Sequence, residues 1–187
     1  MVGEKSPFHS EPPAGVLSAI ACLRQDGTGL ARTCVQGHNQ QKMDQIQLGD
    51  QIICHDRERT KAAYSTMERG DAERCGCAYC LNFATQREAV YPQTFRQLLN
   101  QLGIDFAKEG EVYECGLLSD KLRGYGGWFY FAGEFTAPGE RLTDADSGFQ
   151  YWVASAERLP TPAADFGKSV LAIQFFTKLP WVVAERP

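Results

Sequence analysis

The sequence lacks a run of about 18 apolar residues, the length at which a stretch is interpreted as a membrane-spanning helix. It also lacks an excess of basic residues, because 19 Lys and Arg stand against 23 Asp and Glu and the formal net charge is −4. Domains that bind nucleic acids through bulk charge are usually basic. We therefore expect neither a membrane nor a nucleic acid as the partner of this chain.

Histidine is scarce as well, since His9, His38 and His55 are the only 3 in the chain. Two of them fall near the N-terminus, which leaves His55 as the candidate for general acid–base chemistry. No cysteine, histidine and acid occur at a spacing recognisable as that of a cysteine hydrolase, so this class of enzyme is not indicated. This absence of a catalytic set favours a protein that is not an enzyme.

The first 42 residues differ from the rest of the chain. Pro7, Pro12, Pro13 and several glycines interrupt them, and neither a helical nor a strand period is sustained. We predict that residues 1–42 are a disordered extension or precede the true translation start at Met43. Residues 43–187 are then expected to form a single domain.

The compartment can be inferred from the N-terminal charges and the cysteines. Residues 14–23 are an apolar run, but Glu4 and Glu11 precede it with only Lys5 as a fixed positive charge, whereas a signal peptide begins positively. The 7 cysteines are odd in number and clustered, unlike the framework of a small secreted protein. We expect a reducing compartment, most simply the cytoplasm.

The strongest chemical signal is a group of three thiols. Cys75, Cys77 and Cys80 are close in the chain, and Gly76 allows the backbone between them to turn tightly. Structural zinc takes four ligands in a tetrahedron, usually thiolates and imidazoles. The spacing of Cys77 and Cys80 is half of a zinc-knuckle pattern, so we predict that these three thiols bind zinc.

The fourth zinc ligand has to come from another segment, because the chain has no second pair of cysteines two residues apart. Cys54 is the predicted fourth ligand, since it ends a predicted strand one helix-sized segment before the cluster. Cys115 and His55 are the alternatives.

Two other interpretations of the three thiols stay open. Free cysteines are among the most buried residues, so the group can simply pack under a helix. A Cys-x-x-Cys pair ahead of a helix can also do redox chemistry, because the helix dipole lowers the pKa of one thiol. In that case Cys77 attacks and Cys80 resolves, with Cys75 as an alternative partner, although the βαβ context of thioredoxin is missing.

A glycine-rich segment, residues 124–128, precedes an aromatic stretch. It leads into a predicted strand and lacks a following Lys-Ser/Thr, so it is not a phosphate-binding loop. We interpret it as a turn that begins the strand. As a candidate pocket it offers Tyr125 and Trp128 as walls, with Gly126 and Gly127 between them.

The remaining patterns predict an α+β fold whose mostly antiparallel strands form either one sheet or a sandwich-like arrangement. A hairpin is expected at residues 46–54, a solvated helix at 59–69 closed by Gly70, and a short helix at 83–89 capped by Asn82. The main amphipathic helix is predicted over residues 92–102, where the following four residues form one apolar stripe: Phe95, Leu98, Leu99 and Leu102.

Further strands are predicted in the second half of the chain. Residues 111–117 alternate, with Tyr113, Cys115 and Leu117 on the parity expected to be buried. Residues 128–135 are aromatic on both parities, so this strand should be central and covered on both faces. Two more strands are expected at residues 149–154 and 170–177.

Residues 43–187 resemble an uncharacterised group of bacterial proteins. The resemblance rests on four segments: the Cys-x-Cys-x-x-Cys-x-Asn run from Cys75 to Asn82, Leu102-Gly103-Ile104-Asp105 followed by Lys108-Glu109, Tyr125-Gly126-Gly127-Trp128, and Leu179-Pro180-Trp181. It implies an intact domain that starts near Met43. It implies no activity, because none is assigned to the group.

From the sequence we therefore predict a small cytoplasmic binding or interaction module that zinc stabilises. Its partner is a protein or a small molecule that the sequence does not specify. The alternative is a thiol-dependent redox enzyme or sensor that uses Cys77 and Cys80.

Overall fold

A long strand near the middle of the chain organises the fold in a computed structural model that describes residues 43–119, 121–137 and 139–184. These residues belong to one unit, Thr33–Pro187. The prediction of an extension over residues 1–42 falls outside the described residues. The strands are β1 Asp44–Leu48, β2 Gln51–His55, β3 Glu111–Ser119, β4 Leu122–Phe135, β5 Leu142–Thr143, β6 Gln150–Ser155 and β7 Val170–Pro180. The helices are α1 Arg57–Thr66, α2 Asp71–Cys75, α3 Ala78–Val90 and α4 Gln93–Leu102.

Strand β4 holds the sheet together because it pairs with three other strands. Its strand neighbours along one edge are β3 and then β2, and its other edge pairs with β7 from Leu122 to Ala132. The strand order is β1-β2-β4-β7-β6-β5, with β3 beside β4, and every pairing is antiparallel. The predicted α+β class is confirmed, and the described strands form one connected sheet rather than a sandwich of two.

Helices α3 and α4 pack on one face of this sheet through aromatic side chains. The ring of Tyr91, which lies between the two helices, is central to that layer and is 3% exposed. It contacts six phenylalanine rings: Phe83, Phe95, Phe106, Phe129, Phe149 and Phe175. Burial of large aromatic side chains is the main source of stability in such a core.

Helix α4 and the first hairpin match their predictions. The four residues of the apolar stripe are all buried: Phe95, Leu98, Leu99 and Leu102. Gly103 ends the helix in the left-handed conformation with φ 81°, and the Ile104 amide donates to the Leu99 carbonyl at 2.9 Å. Strands β1 and β2 form the predicted hairpin with Gly49 in its turn.

Two predictions about the strands are wrong. Residues 124–128 are not a turn but the interior of β4, which begins at Leu122. In β3, Val112 is buried whereas Tyr113, Cys115 and Leu117 are exposed. Exposure still alternates from Val112 to Leu117, but the parity that faces the core is the one of Val112, opposite to the predicted one.

The helices that flank the cysteines also differ from expectation. The short helix predicted at residues 83–89 is α3, which is longer than the predicted main helix α4. Asn82 lies within α3 rather than at its cap. Gly70 does not close α1, which ends at Thr66, but precedes α2.

Candidate metal centre

The three thiols meet where α2 gives way to α3. Cys75 is the last residue of α2, and Gly76 follows it in the left-handed conformation with φ 68° and ψ 2°. Cys77 is then the N-cap of α3, and Cys80 lies in the first turn of that helix. A left-handed residue reverses the chain locally and suits glycine, so Gly76 directs all three side chains towards one place.

The sulfur atoms of this thiol cluster lie within reach of a single ion. The Sγ atoms of Cys75, Cys77 and Cys80 are all within 4.8 Å of one another. A Zn–S bond of about 2.3 Å in a tetrahedron places thiolate sulfurs about 3.8 Å apart. A small contraction therefore lets the three thiols supply three positions of a tetrahedral site.

The thiols differ in exposure and acidity. Cys75 and Cys77 are exposed, whereas Cys80 is 5% exposed. The Cys80 amide donates to Cys77 Sγ at 3.5 Å, and this hydrogen bond is the main cause that lowers the pKa of Cys77. Burial raises the pKa of Cys80, and the hydrogen bonds with the neighbouring thiols raise it further. Cys77 is thus the better thiolate of the two.

An ion-pair network around the buried guanidinium of Arg87 joins α2 to α3. Arg87 of α3 donates from Nη1 to Glu73 Oε1 at 2.6 Å, and Glu73 lies two residues before Cys75. The same guanidinium donates from Nε and Nη2 to the carboxylate of Glu109 at 2.7 and 3.0 Å. The Tyr91 hydroxyl donates a further hydrogen bond to Glu109 at 3.0 Å.

These contacts keep a fully buried carboxylate among three donors. Burial raises the pKa of Glu109, while the Arg87 charge opposes that rise. Sequence analysis missed this network, although one signal was present. Phe83, Arg87 and Val90 share one face of α3 at helical spacing, which places a charge in an otherwise apolar stripe.

Asn82 connects the same helix to the sheet. Its Nδ2 donates to the Tyr125 hydroxyl at 3.1 Å and to the Pro180 carbonyl at 3.1 Å, and its Oδ1 accepts from the Val182 amide at 2.8 Å. Both polar atoms of this fully buried side chain are therefore satisfied. The first turn of α3, which carries Cys80, is held against β4 and the end of β7.

A cationic aromatic cluster lies beside this turn. Tyr79, between Cys77 and Cys80 in the chain, meets the Trp181 ring edge-on at 5.7 Å. The Arg123 guanidinium lies 5.4 Å from the Tyr79 ring centre and 5.3 Å from that of Trp181. Arg123 also pairs with Glu114 at 2.8 Å. This arrangement packs the Tyr79 ring against Trp181 and Arg123.

The predicted fourth ligands do not join the thiol cluster. Cys54 lies in β2, buried at 8% exposure, and among the described residues it is neither in the sulfur group nor among the free thiols. Cys115 is an exposed free thiol in β3, and His55 is buried at the end of β2. The described residues thus bring together three of the four predicted ligands.

The candidate pocket residues are packed inside β4. Tyr125 is fully buried and Trp128 is 7% exposed. A Cβ at Gly126 would lie 2.6 Å from the ring of Tyr113, and one at Gly127 would lie 2.6 Å from the ring of Phe175. Because Gly126 and Gly127 have no side chains, the rings of Tyr113 and Phe175 pack directly against them. The space beside these glycines is therefore filled.

No protein-family model, curated protein or solved structure matches this chain. The resemblance to a bacterial group therefore stays a prediction. Among the described helices, none has the length and apolar character needed to cross a membrane.

Proposed function

We propose that this chain is a small cytoplasmic binding or interaction module in which Cys75, Cys77 and Cys80 hold a structural zinc ion. The observation that carries the proposal is the approach of the three sulfur atoms to within 4.8 Å of one another. Thiolates are preferred zinc ligands, and a bound ion would join the end of α2 to the first turn of α3. A donor from outside the group would complete the tetrahedron.

The role as an interaction module rests on where this ion would lie. Cys75 and Cys77 are exposed, so the centre is at the surface rather than in the core. Zinc at such a place stabilises a local backbone shape, because the ion crosslinks segments that otherwise separate on unfolding. The surface around Cys75 and Cys77 is the part of the molecule that would bind a protein or small-molecule partner.

Elemental analysis of the full chain tests the zinc proposal. Protein expressed in zinc-replete medium should carry about one equivalent of zinc. The variant Cys75→Ser/Cys77→Ser/Cys80→Ser should lose it, and the control Cys115→Ser, which changes an exposed thiol outside the group, should keep it. Less than about a tenth of an equivalent in the unaltered protein, or retention by the triple variant, would overturn the proposal.

A redox role is the second candidate, and the position of Cys77 favours it. This exposed N-cap thiol has a lowered pKa, while Cys80 beside it is buried with a raised pKa. With a disulfide-bearing substrate, the Cys77 thiolate would attack one sulfur and release the other as a thiolate. Cys80 or Cys75 would then attack Cys77, forming an internal disulfide and releasing the reduced substrate.

A further inference from the structure

A cavity of about 270 Å³ lies away from the thiol cluster, where α1, the end of α4 and residues 103–108 meet. Its volume is close to the lower end for small-ligand sites. Residues 103–105 and 108 belong to one of the four segments that carry the resemblance, and the proposed zinc centre does not use them. Gly103 lets the two helices approach here, because a Cβ at this residue would lie 2.5 Å from the Arg57 carbonyl oxygen.

The lining of the cavity carries an excess of positive charge. Arg57, Lys61 and Lys108 line it, and Asp105 is the acidic residue among the lining side chains. Glu58 also pairs with Arg57 at 3.1 Å, but its side chain is 80% exposed, so solvent screens its charge. The lining itself therefore has two more positive than negative groups.

Two of these cations are oriented by main-chain carbonyls, and each is also paired with a carboxylate that is at least partly exposed. Arg57 Nε donates to the Asn100 carbonyl at 3.2 Å, and Lys108 Nζ donates to the Tyr64 carbonyl at 3.1 Å. Lys108 Nζ also lies 3.4 Å from Asp105 Oδ2, and because that carboxylate is 40% exposed, solvent weakens this ion pair as it weakens the pair of Arg57 with Glu58. Lys61 has no hydrogen-bond or ion-pair partner among the described residues. Its charge is available to a ligand.

The remaining lining is partly apolar. Tyr64 and Ile104 contribute buried side chains to the wall, and the Tyr64 hydroxyl is already used, since it donates to the Tyr130 carbonyl at 2.9 Å. This wall offers a ligand hydrophobic contact rather than further hydrogen bonds. We propose that the cavity binds a small organic dianion of the phosphate-monoester class, with its charge on the three cations and its carbon skeleton against Tyr64 and Ile104.

Calorimetric titration of the full chain with phenyl phosphate tests this site. We expect saturable binding that high salt weakens, because charges that are partly exposed are screened. Lys61→Gln should weaken binding about two- to fivefold, the size of a partly exposed ion pair, and Lys61→Gln/Lys108→Gln should weaken it further. Lys178→Gln, an exposed change outside the cavity, is the matched control and should leave the affinity unchanged.

Two further probes separate charge from shape. Benzylamine has a similar ring with a positive charge and should not bind, whereas inorganic phosphate should bind more weakly than phenyl phosphate. Absence of saturable phenyl phosphate binding would overturn the proposal, as would equal losses in Lys178→Gln and Lys61→Gln. Equal affinities for phenyl phosphate and inorganic phosphate would overturn the assigned role of Tyr64 and Ile104.

Discussion

Cys77 and Cys80 show how position alone makes two identical side chains differ. Cys77 caps α3, where its sulfur accepts the Cys80 amide, and Cys80 points into the core one turn later. The first arrangement favours the thiolate and the second favours the neutral thiol. The spacing of the cysteines predicted that they converge, but their order of reactivity depends on burial, which spacing does not reveal.

We predict that Cys77 reacts with iodoacetamide several times faster than Cys80 or Cys115 in the folded, chelator-treated protein at neutral pH. The thiolate is the reactive form, and the pKa is lowered for Cys77 but raised by burial for the other two. Peptide mapping by mass spectrometry over time gives the three rates. Urea-unfolded protein is the control, in which the rates should converge.

Equal rates at the three thiols in the folded protein would contradict this order and remove the basis for the redox candidate. The zinc proposal would be unaffected, because it depends on the convergence of the sulfurs rather than on which one ionises first. Among the described residues, the sulfur group does not include Cys54, the predicted fourth ligand. Its position before the cluster in the chain carried no information about where β2 lies relative to α3.

The sequence pattern of α4 indicates a helix clearly, whereas the pattern of α3 does not. Helix α4 has an apolar stripe, a proline before it and a glycine after it, so its bounds were predictable. Helix α3 begins with a cysteine cap and buries Asn82 and Arg87 among its apolar residues, so its pattern is blurred. Tertiary contacts stabilise α3, and such contacts cannot be read from the hydrophobic periodicity of the sequence.

We predict that Asn82→Asp weakens the attachment of α3 and lowers the free energy of unfolding. If Asn82 were the helix cap, aspartate would serve equally well. As a buried connector, the residue must donate to Tyr125 and Pro180, and a carboxylate cannot donate. We expect a loss of about 2–3 kcal/mol in the free energy of unfolding, measured by urea denaturation.

Asn100→Asp is the matched control, since Asn100 is exposed near the end of α4. It should change the free energy of unfolding by less than about 0.5 kcal/mol. Similar, small effects of the two substitutions would show that the hydrogen bonds of Asn82 do not hold α3 to the sheet.

At the scale of the whole molecule, His55 links global stability to pH. It is 2% exposed at the end of β2, and its Nδ1 has no hydrogen-bond partner among the described residues. Burial lowers its pKa, and Arg57 acts in the same direction, while Asp44 and Asp56 oppose them. The folded protein therefore favours the neutral ring.

We predict that the unfolding free energy falls as the pH decreases from about 7.5 to 5.5. The unfolded chain takes up a proton near the ordinary histidine pKa of about 6.5, and the folded chain does so only at lower pH. The stability from neutral His55 is thus present above the unfolded pKa and is lost as the pH falls through the folded pKa. A pKa difference of one corresponds to about 1.4 kcal/mol.

Urea denaturation at several pH values in this interval measures the effect. His55→Asn is the informative variant, because it removes the titrating ring and should flatten the dependence on pH whatever its own stability. An identical pH slope in both proteins would assign the effect to other groups.

The position of β7 has a consequence for biosynthesis. This strand comes after all the other described strands in the chain, yet it lies between β4 and β6. A nascent chain that has emerged only as far as Ser155 therefore contains two separate parts of the sheet, one around β4 and one formed by β5 and β6. The edges of β4 and β6 that β7 later covers are unpaired at that stage and can pair with incorrect strands. The sheet can therefore close only after residues 170–180 have left the ribosome, so the ordering of β7 has to follow the synthesis of every other described strand.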